Sequence, residues 1–412
     1  MSASSIPAAV DIMIVGGGPT AASLALLLAA QRQEWRIMLL THAPPAARSD
    51  GKLPMDHRAT ALSVSSQRIF SSIGIWDAIA AQAAPIEEIH VSERGWFGAA
   101  QLKAREDHFP AYGHVVENAR LMGVLMDAIA QQQHIIATHV GTVDIEAQTA
   151  AGVVLRVDGR LVTARLLVAA DGAQSRLRGQ LGIGVESKAY GKNAVAAVLS
   201  LTEPHRGVAY ERFTPQGPIA LLPLPDSDNI HRAALVWSLS PQQAEHLLTL
   251  PAARFLADLQ CAFGTRAGQF SGVGERQCFP LKRLIAAEQV RRNLVLMGNA
   301  AHNLHPVAGQ GFNLTLRDCA ALSATLTDGV GHGAALGDLE LLENYVHRQA
   351  WDQRRTMFFS DRLPALFGSP AQGLALARNM GLVGLDLCPT LRGKIARLGA
   401  GIDSREAQSI DR

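Results

Sequence analysis

The chain has 412 residues, 48% of them hydrophobic and 18% charged, with 38 basic against 36 acidic side chains. That length supports a large buried core, in two domains or in one α/β unit with an insert, and the composition excludes a disordered chain. A net charge of +2 offers nothing to a nucleic acid, and the longest strongly apolar stretch, residues 21–30, is too short to span a bilayer.

The opening run MSASSIPAAVDIMIV has no basic segment ahead of its apolar part, so no secretory leader is expected and a cytoplasmic protein is. Residues 11–15 read as a short β-branched strand, followed by Gly16-Gly17-Gly18-Pro19-Thr20-Ala21. A helix-period segment over 22–31 and a strand over 36–40 complete a βαβ unit, which implies a parallel sheet. Helical patterns follow around 62–73 and 121–132. A continuous apolar strand over 161–170 ends in Asp171-Gly172.

From about residue 182 to 283 helix patterning thins. Strand-like runs at 194–202, 218–222 and 233–239 are punctuated by Pro215, Gly217, Pro223 and Pro225, the texture of a β-rich domain inserted into the first. Another buried strand is expected over 293–297. A second glycine-rich loop comes at 309–311, then a helix over 313–327, and the remainder from 337 is mainly helical. The expected division is a first α/β part over 1–181, with 75–115 lent to the β-rich domain. That domain then covers 182–285, the second α/β part 286–335, and a helical region 336–412. Cys261, Cys278, Cys319 and Cys388 lie far apart with no CxxC spacing and read as reduced, mostly buried thiols.

The first loop fits G-x-G-x-x-G/A with Gly16, Gly18 and Ala21. Gly16 permits the tight turn, Gly18 lets backbone approach a pyrophosphate at the helix N-terminus, and Ala21 is small enough for close strand–helix packing. Thr41, with His42 beside it, stands where an acidic residue would hold a ribose; a hydroxyl bonds there more weakly than a carboxylate. Asp171 at a strand end suits either a cofactor contact or a helix cap or Asx turn. In the run from Gly298 and Asn299 to Asn313, closely spaced small residues let a flat aromatic ring approach the backbone, and the helix behind would stabilise negative charge on it. His302 and His305 have H-x-x-H spacing, but no third ligand lies nearby and Pro306 stiffens the loop, so no metal is expected.

Together these blocks resemble the FAD-dependent aromatic hydroxylases of the para-hydroxybenzoate hydroxylase type. The run His305-Pro306-Val307-Ala308-Gly309-Gln310-Gly311-Phe312-Asn313, reaching Asp318, is similar to the pattern of the ubiquinone-biosynthesis flavin monooxygenases. The likeness extends through almost the whole chain, and Arg58 in Asp56-His57-Arg58-Ala59 matches a flavin-contacting arginine. The runs HVSERG and ERFTPQGPIALLPLP look most like the 2-polyprenyl-6-methoxyphenol hydroxylase subgroup.

The resemblance implies an α/β fold: a Rossmann-like FAD-binding domain with an inserted β-rich substrate domain and C-terminal helices. It implies cofactor binding for the α/β parts and substrate binding for the β-rich one. It implies FAD held by Gly16, Gly18, Ala21, Arg58, Asp171, Gly172, Gly298, Asn299, Pro306, Gly309, Gln310, Gly311 and Asn313. NADPH or NADH would act as a transient reductant, and oxygen from O2 would pass through a flavin C4a-hydroperoxide to the ring of a polyprenyl phenol. Other ubiquinone-biosynthesis proteins are the implied partners.

The chain departs from the family pattern at Asn299, where most members have Asp, and at Thr315, where glycine is usual. Asn118 and Arg120 both stand near a further flavin contact, and the choice between them stays open. No catalytic base is evident; His305 is weighed against a plain loop role. Near the C-terminus, Leu391, Ile395 and Leu398 recur at helical spacing beside Arg392, Lys394 and Arg397. That pattern suits either a basic amphipathic helix at a lipid surface or partner, or a helix docked on its own core.

Overall fold

The computed structural model describes residues 6–42, 58–96, 98–304 and 309–368, with residues 380 and 393 besides. Among the described residues the strands form sheets of eight, nine and three. In the first sheet, Ala9–Val15 lies between Arg160–Ala169 and Ile37–Thr41, and all run parallel. Leu294–Leu296 and Ile135–His139 extend the parallel set on either side. Ile37–Thr41, Leu294–Leu296 and residues 166–169 of Arg160–Ala169 are buried without alternation because both faces are covered, as parallel sheets require.

The helix Pro19–Gln31 makes the first crossover. Proline at its start lacks only an N–H that no helical carbonyl would accept, and every residue from Ala21 to Ala29 is buried. A helix apolar all round must be enclosed. Here the sheet lies on one side, with the helices Asn118–Ala130 and Gln310–Gly331 on the others. An antiparallel hairpin, Val143–Thr149 with Gly152–Val157, joins the sheet through Arg160–Ala169; the sequence reading passed over it, although Val153-Val154-Leu155 is a short apolar run.

The nine-stranded sheet is the β-rich region expected from sequence, with two differences. Its central strand, Val185–Leu201, starts well before residue 194. The added residues are exposed and polar and are held by pairing with Gln277–Ala286. The region also carries two helices, Pro241–Thr249 and Ala252–Phe263, packed on one sheet face around Trp237, Phe255 and Phe263. Ser240 and Gln243 close a reciprocal capping box at the first of them, a spacing legible in the sequence. The strands Glu88–Glu93 and Ala99–Lys103 join this sheet through Val208–Phe213.

The opposite face of the large sheet packs on the three-stranded sheet, Ala59–Ser63, Gly113–Glu117 and Ala83–Ile86, in a cluster that includes Leu102, Val115, Ala209, Leu224 and Ala234. The helix Gln310–Gly331 begins ahead of residue 313 because Gly309 turns into it at φ 62°, a conformation open to glycine. A long helix, Leu339–Gly368, follows. Of the three described cysteines only Cys319 is buried, while Cys261 is exposed on its helix; this corrects the expectation of mostly buried thiols. No described helix is long and apolar enough to cross a membrane. The amphipathic pattern at 391–398 lies outside the described residues, apart from Gly393.

Candidate active site

Parallel register brings the strand ends together. Val15 pairs with Leu40 and Ala169, and Ala169 with Leu296. Gly16–Gly18, Thr41, Asp171–Gly172 and Gly298–Asn299 therefore emerge along one edge, the carboxyl ends of the strands, where ligands of open α/β sheets bind. Gly16 donates to Leu40 O at 2.9 Å, and a Cβ on it would lie 2.3 Å from Ala170 O. Its lack of a side chain is forced by neighbouring backbone. At Gly18 a Cβ would meet nothing within 4 Å, so this glycine faces open space at the N-terminus of the helix Pro19–Gln31. That terminus has no side-chain cap and no acidic residue in its first turn. Thr41 stands beside the turn, its Cβ 3.6 Å from a Cβ placed on Gly17.

At the second strand end, Asp171 Oδ2 accepts from Leu177 N at 3.2 Å, while Oδ1 is buried with no partner among the described residues. Ser175, rather than Asp171, caps the following helix Arg176–Gln180. Gly172 turns the chain at φ 90°. Arg178, buried and not anticipated from sequence, donates to Ala173 O at 2.9 Å and Ala300 O at 2.8 Å, tying this loop to the third. There Gly298, at φ 60°, packs so closely that a Cβ would lie 2.9 Å from Thr20 Cγ2 and 3.3 Å from Thr315 Cγ2. Thr315, the departure from the family's glycine, fills the space beneath this turn. Asn299 is exposed beside it.

The second glycine loop enters its helix through Gly309, where a Cβ would be 3.2 Å from Ala61 Cβ. Gly311 faces open space; Gln310 begins the helix. Asn313 binds protein with its whole amide. Oδ1 accepts from Ser63 N at 2.9 Å and Ser66 Oγ at 2.6 Å; Nδ2 donates to Ala61 O at 2.8 Å and Gly309 O at 2.9 Å. What Asn313 contributes is the shape of the loop. Pro306 and His305 lie outside the described residues. His302, fully buried, meets Asp318 at 2.7 Å between Nε2 and Oδ2, and Gln353 donates to the other Asp318 oxygen at 3.1 Å.

Arg58 stands at the seam with the large sheet, its guanidinium 5.0 Å from the centre of the Phe279 ring. Arg120 is committed to Glu117 at 2.8 Å and Gln82 at 2.6 Å. Glu117 also receives Arg232 at 2.9 Å; burial pushes its carboxyl up, but the two guanidinium groups outweigh it and hold it below the usual range. Asn118 accepts from Thr60 Oγ1 at 2.7 Å. Glu211, which sequence reading passed over, lies on the sheet face turned to this seam, and burial pushes its pKa up to about 7. Strand alternation was the one signal that pointed to it.

An uncapped helix N-terminus, an open face at Gly18 and an unpartnered buried Asp171 oxygen fit a diphosphate joined to a polyol, as FAD has. A family model described as a FAD binding domain matches residues 9–357. The chain belongs to that family. Relatives of the chain are named hydroxylases and monooxygenases, and this chain is an FAD-dependent enzyme of that kind.

Ubiquinone hydroxylase UbiL of Rhodospirillum rubrum is 32% identical, over 95% of this chain and 89% of its own. The 3-demethoxyubiquinol 3-hydroxylase of Escherichia coli is 30% identical, over 95% and 98%. The mitochondrial ubiquinone biosynthesis monooxygenase COQ6 of Homo sapiens is 27% identical, over 93% and 91%. Among solved structures, p-nitrophenol 4-monooxygenase PnpA of Pseudomonas putida covers 97% of the chain and 100% of its own at TM-score 0.78 and 16% identity, a likeness of fold.

Proposed function

We propose that the protein hydroxylates the aromatic ring of a polyprenyl phenol in ubiquinone biosynthesis, converting a 2-polyprenyl-6-methoxyphenol to the 1,4-benzoquinol. The observation that carries this is the strand Ala59–Ser63, which bonds Asn313 of the second glycine loop and packs on an apolar cluster of the large sheet. The relatives' names supply the substrate class, since UbiL, the 3-hydroxylase and COQ6 are all named for ubiquinone or its synthesis. The same names favour a second reading, a sister hydroxylase attacking another carbon of that ring.

Bound FAD would supply the chemistry, taking electrons from NADPH or NADH and delivering one oxygen atom of O2. Gly16, Gly18 and Ala21 shape the turn for the diphosphate, with Asp171 Oδ1 as an acceptor for a hydroxyl donor. Gly298 and Asn299 border the polyol, and Gly309–Gly311, held by Asn313, form the wall beside the ring system. Arg58 closes the seam over Phe279. The apolar sheet face orients a greasy phenol and excludes water, which preserves the oxidant for the ring.

The test is direct. Purified protein should show flavin absorbance, consume NAD(P)H faster when a short-chain 2-prenyl-6-methoxyphenol is added, and place the new hydroxyl para to the existing one. A hydroxyl at another carbon selects the second reading, and no flavin band after FAD is added overturns both.

A further inference from the structure

Successive residues of a strand face opposite sides of a sheet, and directly paired residues share a side. In the large sheet Tyr210, Leu221, Leu235 and Val195 pack under the helices. Ala209, Leu222, Ala234 and Val198 belong to the other face, packed on Ala59 and Ala61. Pairing then places Gln277, Ala196, Val236, Ala220, Glu211, Val91 and Ala100 in one row across that second face. This row lies about 7 Å along the strands from the row that packs on Ala61. One step further comes the row of Phe279 and Ala194, and Phe279 lies under Arg58. The Glu211 row is thus bracketed by the contact to the Gly309 loop on one side and by Arg58 on the other.

Three of its seven residues are alanines, which leaves the face recessed; Gln277 stands at the far end of the row from Glu211, which is its one ionisable group. No hydrogen bond or ion pair reaches the Glu211 carboxylate among the described residues. The charged groups sharing the face are Arg58 over Phe279, Glu93 beyond Val91, and the Arg232–Glu117 pair two rows away, already joined to each other. A carboxylate left unpaired in an apolar recess that faces a cofactor site is placed for a polar group of the substrate.

Resting on the ring-hydroxylase reading, we propose that Glu211 is the catalytic base that takes the proton of the substrate's phenolic hydroxyl. The O–H bond breaks, the proton passes to a Glu211 oxygen, and the electron pair stays on the phenol oxygen. This raises electron density at the ring carbons ortho and para to it. No electron enters or leaves the protein in this step. A base titrating near 7 is half ionised at neutral pH, the balance that general-base catalysis favours. An ordinary phenol, near 10, gives up its proton fully only as the ring is attacked.

The test compares the FAD-loaded native enzyme with Glu211→Gln and Glu211→Asp on 2-prenyl-6-methoxyphenol. Both variants should bind FAD as the native protein does, which shows that they fold. Glu211→Gln should make hydroxylated product at least about 100-fold more slowly and lose the rise of kcat with pH near 7; Glu211→Asp should keep that rise at a reduced rate.

A readout without turnover uses a dinitrated methoxyphenol, ionised throughout the pH range. Its affinity for the native oxidised enzyme should fall as pH climbs through 7 and like charges meet, and should stay level in Glu211→Gln. Product formation within threefold of native, or an unchanged pH profile in both measurements, overturns the assignment. A native enzyme that binds FAD and oxidises NAD(P)H yet hydroxylates no phenol overturns the ring-hydroxylase reading itself, and the base with it.

Discussion

Replacing Asn313 tests whether one amide holds the flavin-side loop. Alanine there strips four partners at once: Ser63 N, Ser66 Oγ, Ala61 O and Gly309 O, all bonded at 2.6 to 2.9 Å. At about 1 kcal/mol net for each buried bond, Asn313→Ala should cost about 4 kcal/mol, a large share of a typical domain's stability. Asn313→Asp keeps both acceptor roles but sets a carboxylate against two carbonyl oxygens. Its folded pKa is therefore raised, so the stability is present below the unfolded value near 4 and is lost as pH rises. The aspartate variant should sit closest to native at acid pH and lose stability toward neutrality, while the alanine variant shows no such trend. Urea midpoints at pH 5 and pH 8 measure both, and flavin fluorescence quenching measures FAD affinity, which should fall at least tenfold in each. An alanine variant within 1 kcal/mol of native and with native FAD affinity would refute the bracket.

The glycines of the first loop should separate folding from binding. Gly16→Ala puts a methyl 2.3 Å from Ala170 O, so a drop of several kcal/mol in unfolding free energy is expected with or without FAD. At Gly18 a Cβ meets nothing within 4 Å, so the Gly18→Val apoprotein should melt close to native while FAD affinity falls at least tenfold, read by equilibrium titration. Glu211→Gln should flatten the pH dependence of stability. With the folded pKa raised from 4.5 to about 7, the native protein loses at most about 3 kcal/mol as pH climbs through that window, read from urea midpoints. Asp352 pairs with buried Arg317 at 2.5 Å. Asp352→Leu alone should therefore cost about 3–5 kcal/mol, and Asp352→Leu with Arg317→Met much less, checked by thermal melts of the two.

The parallel sheet and both glycine loops were legible because their signals are local: β-branched runs, turn glycines and a helix period each fit in a dozen residues. Asn313 was legible as part of a motif, yet its bracket joins groups 250 positions apart, and no local pattern reports such a partner. Glu211 was hidden for a related reason. In the sequence it is one charge in a strand; its neighbours Ala220 and Val91 become neighbours only through register. The helix Pro241–Thr249 was missed although Ser240 and Gln243 announce it, because it buries only Ala244 and Leu247, too few apolar positions to show a helix period.

The strand Ala59–Ser63 explains how cofactor and substrate surfaces stay in step. Its backbone serves one side, where Ala61 O and Ser63 N bond to Asn313. The Ala61 methyl borders Gly309 on that side and, with Ala59, also packs in the cluster of Ala209, Leu222 and Ala234 of the large sheet. Both methyl groups are small, so neither partner has slack to move without the other in a close-packed seam. A larger residue at Ala61 would push the Gly309 loop and the sheet face apart together. In the proposed function, the distance between the oxygen-delivering ring and the ring it attacks would be set by this five-residue strand, which touches both walls.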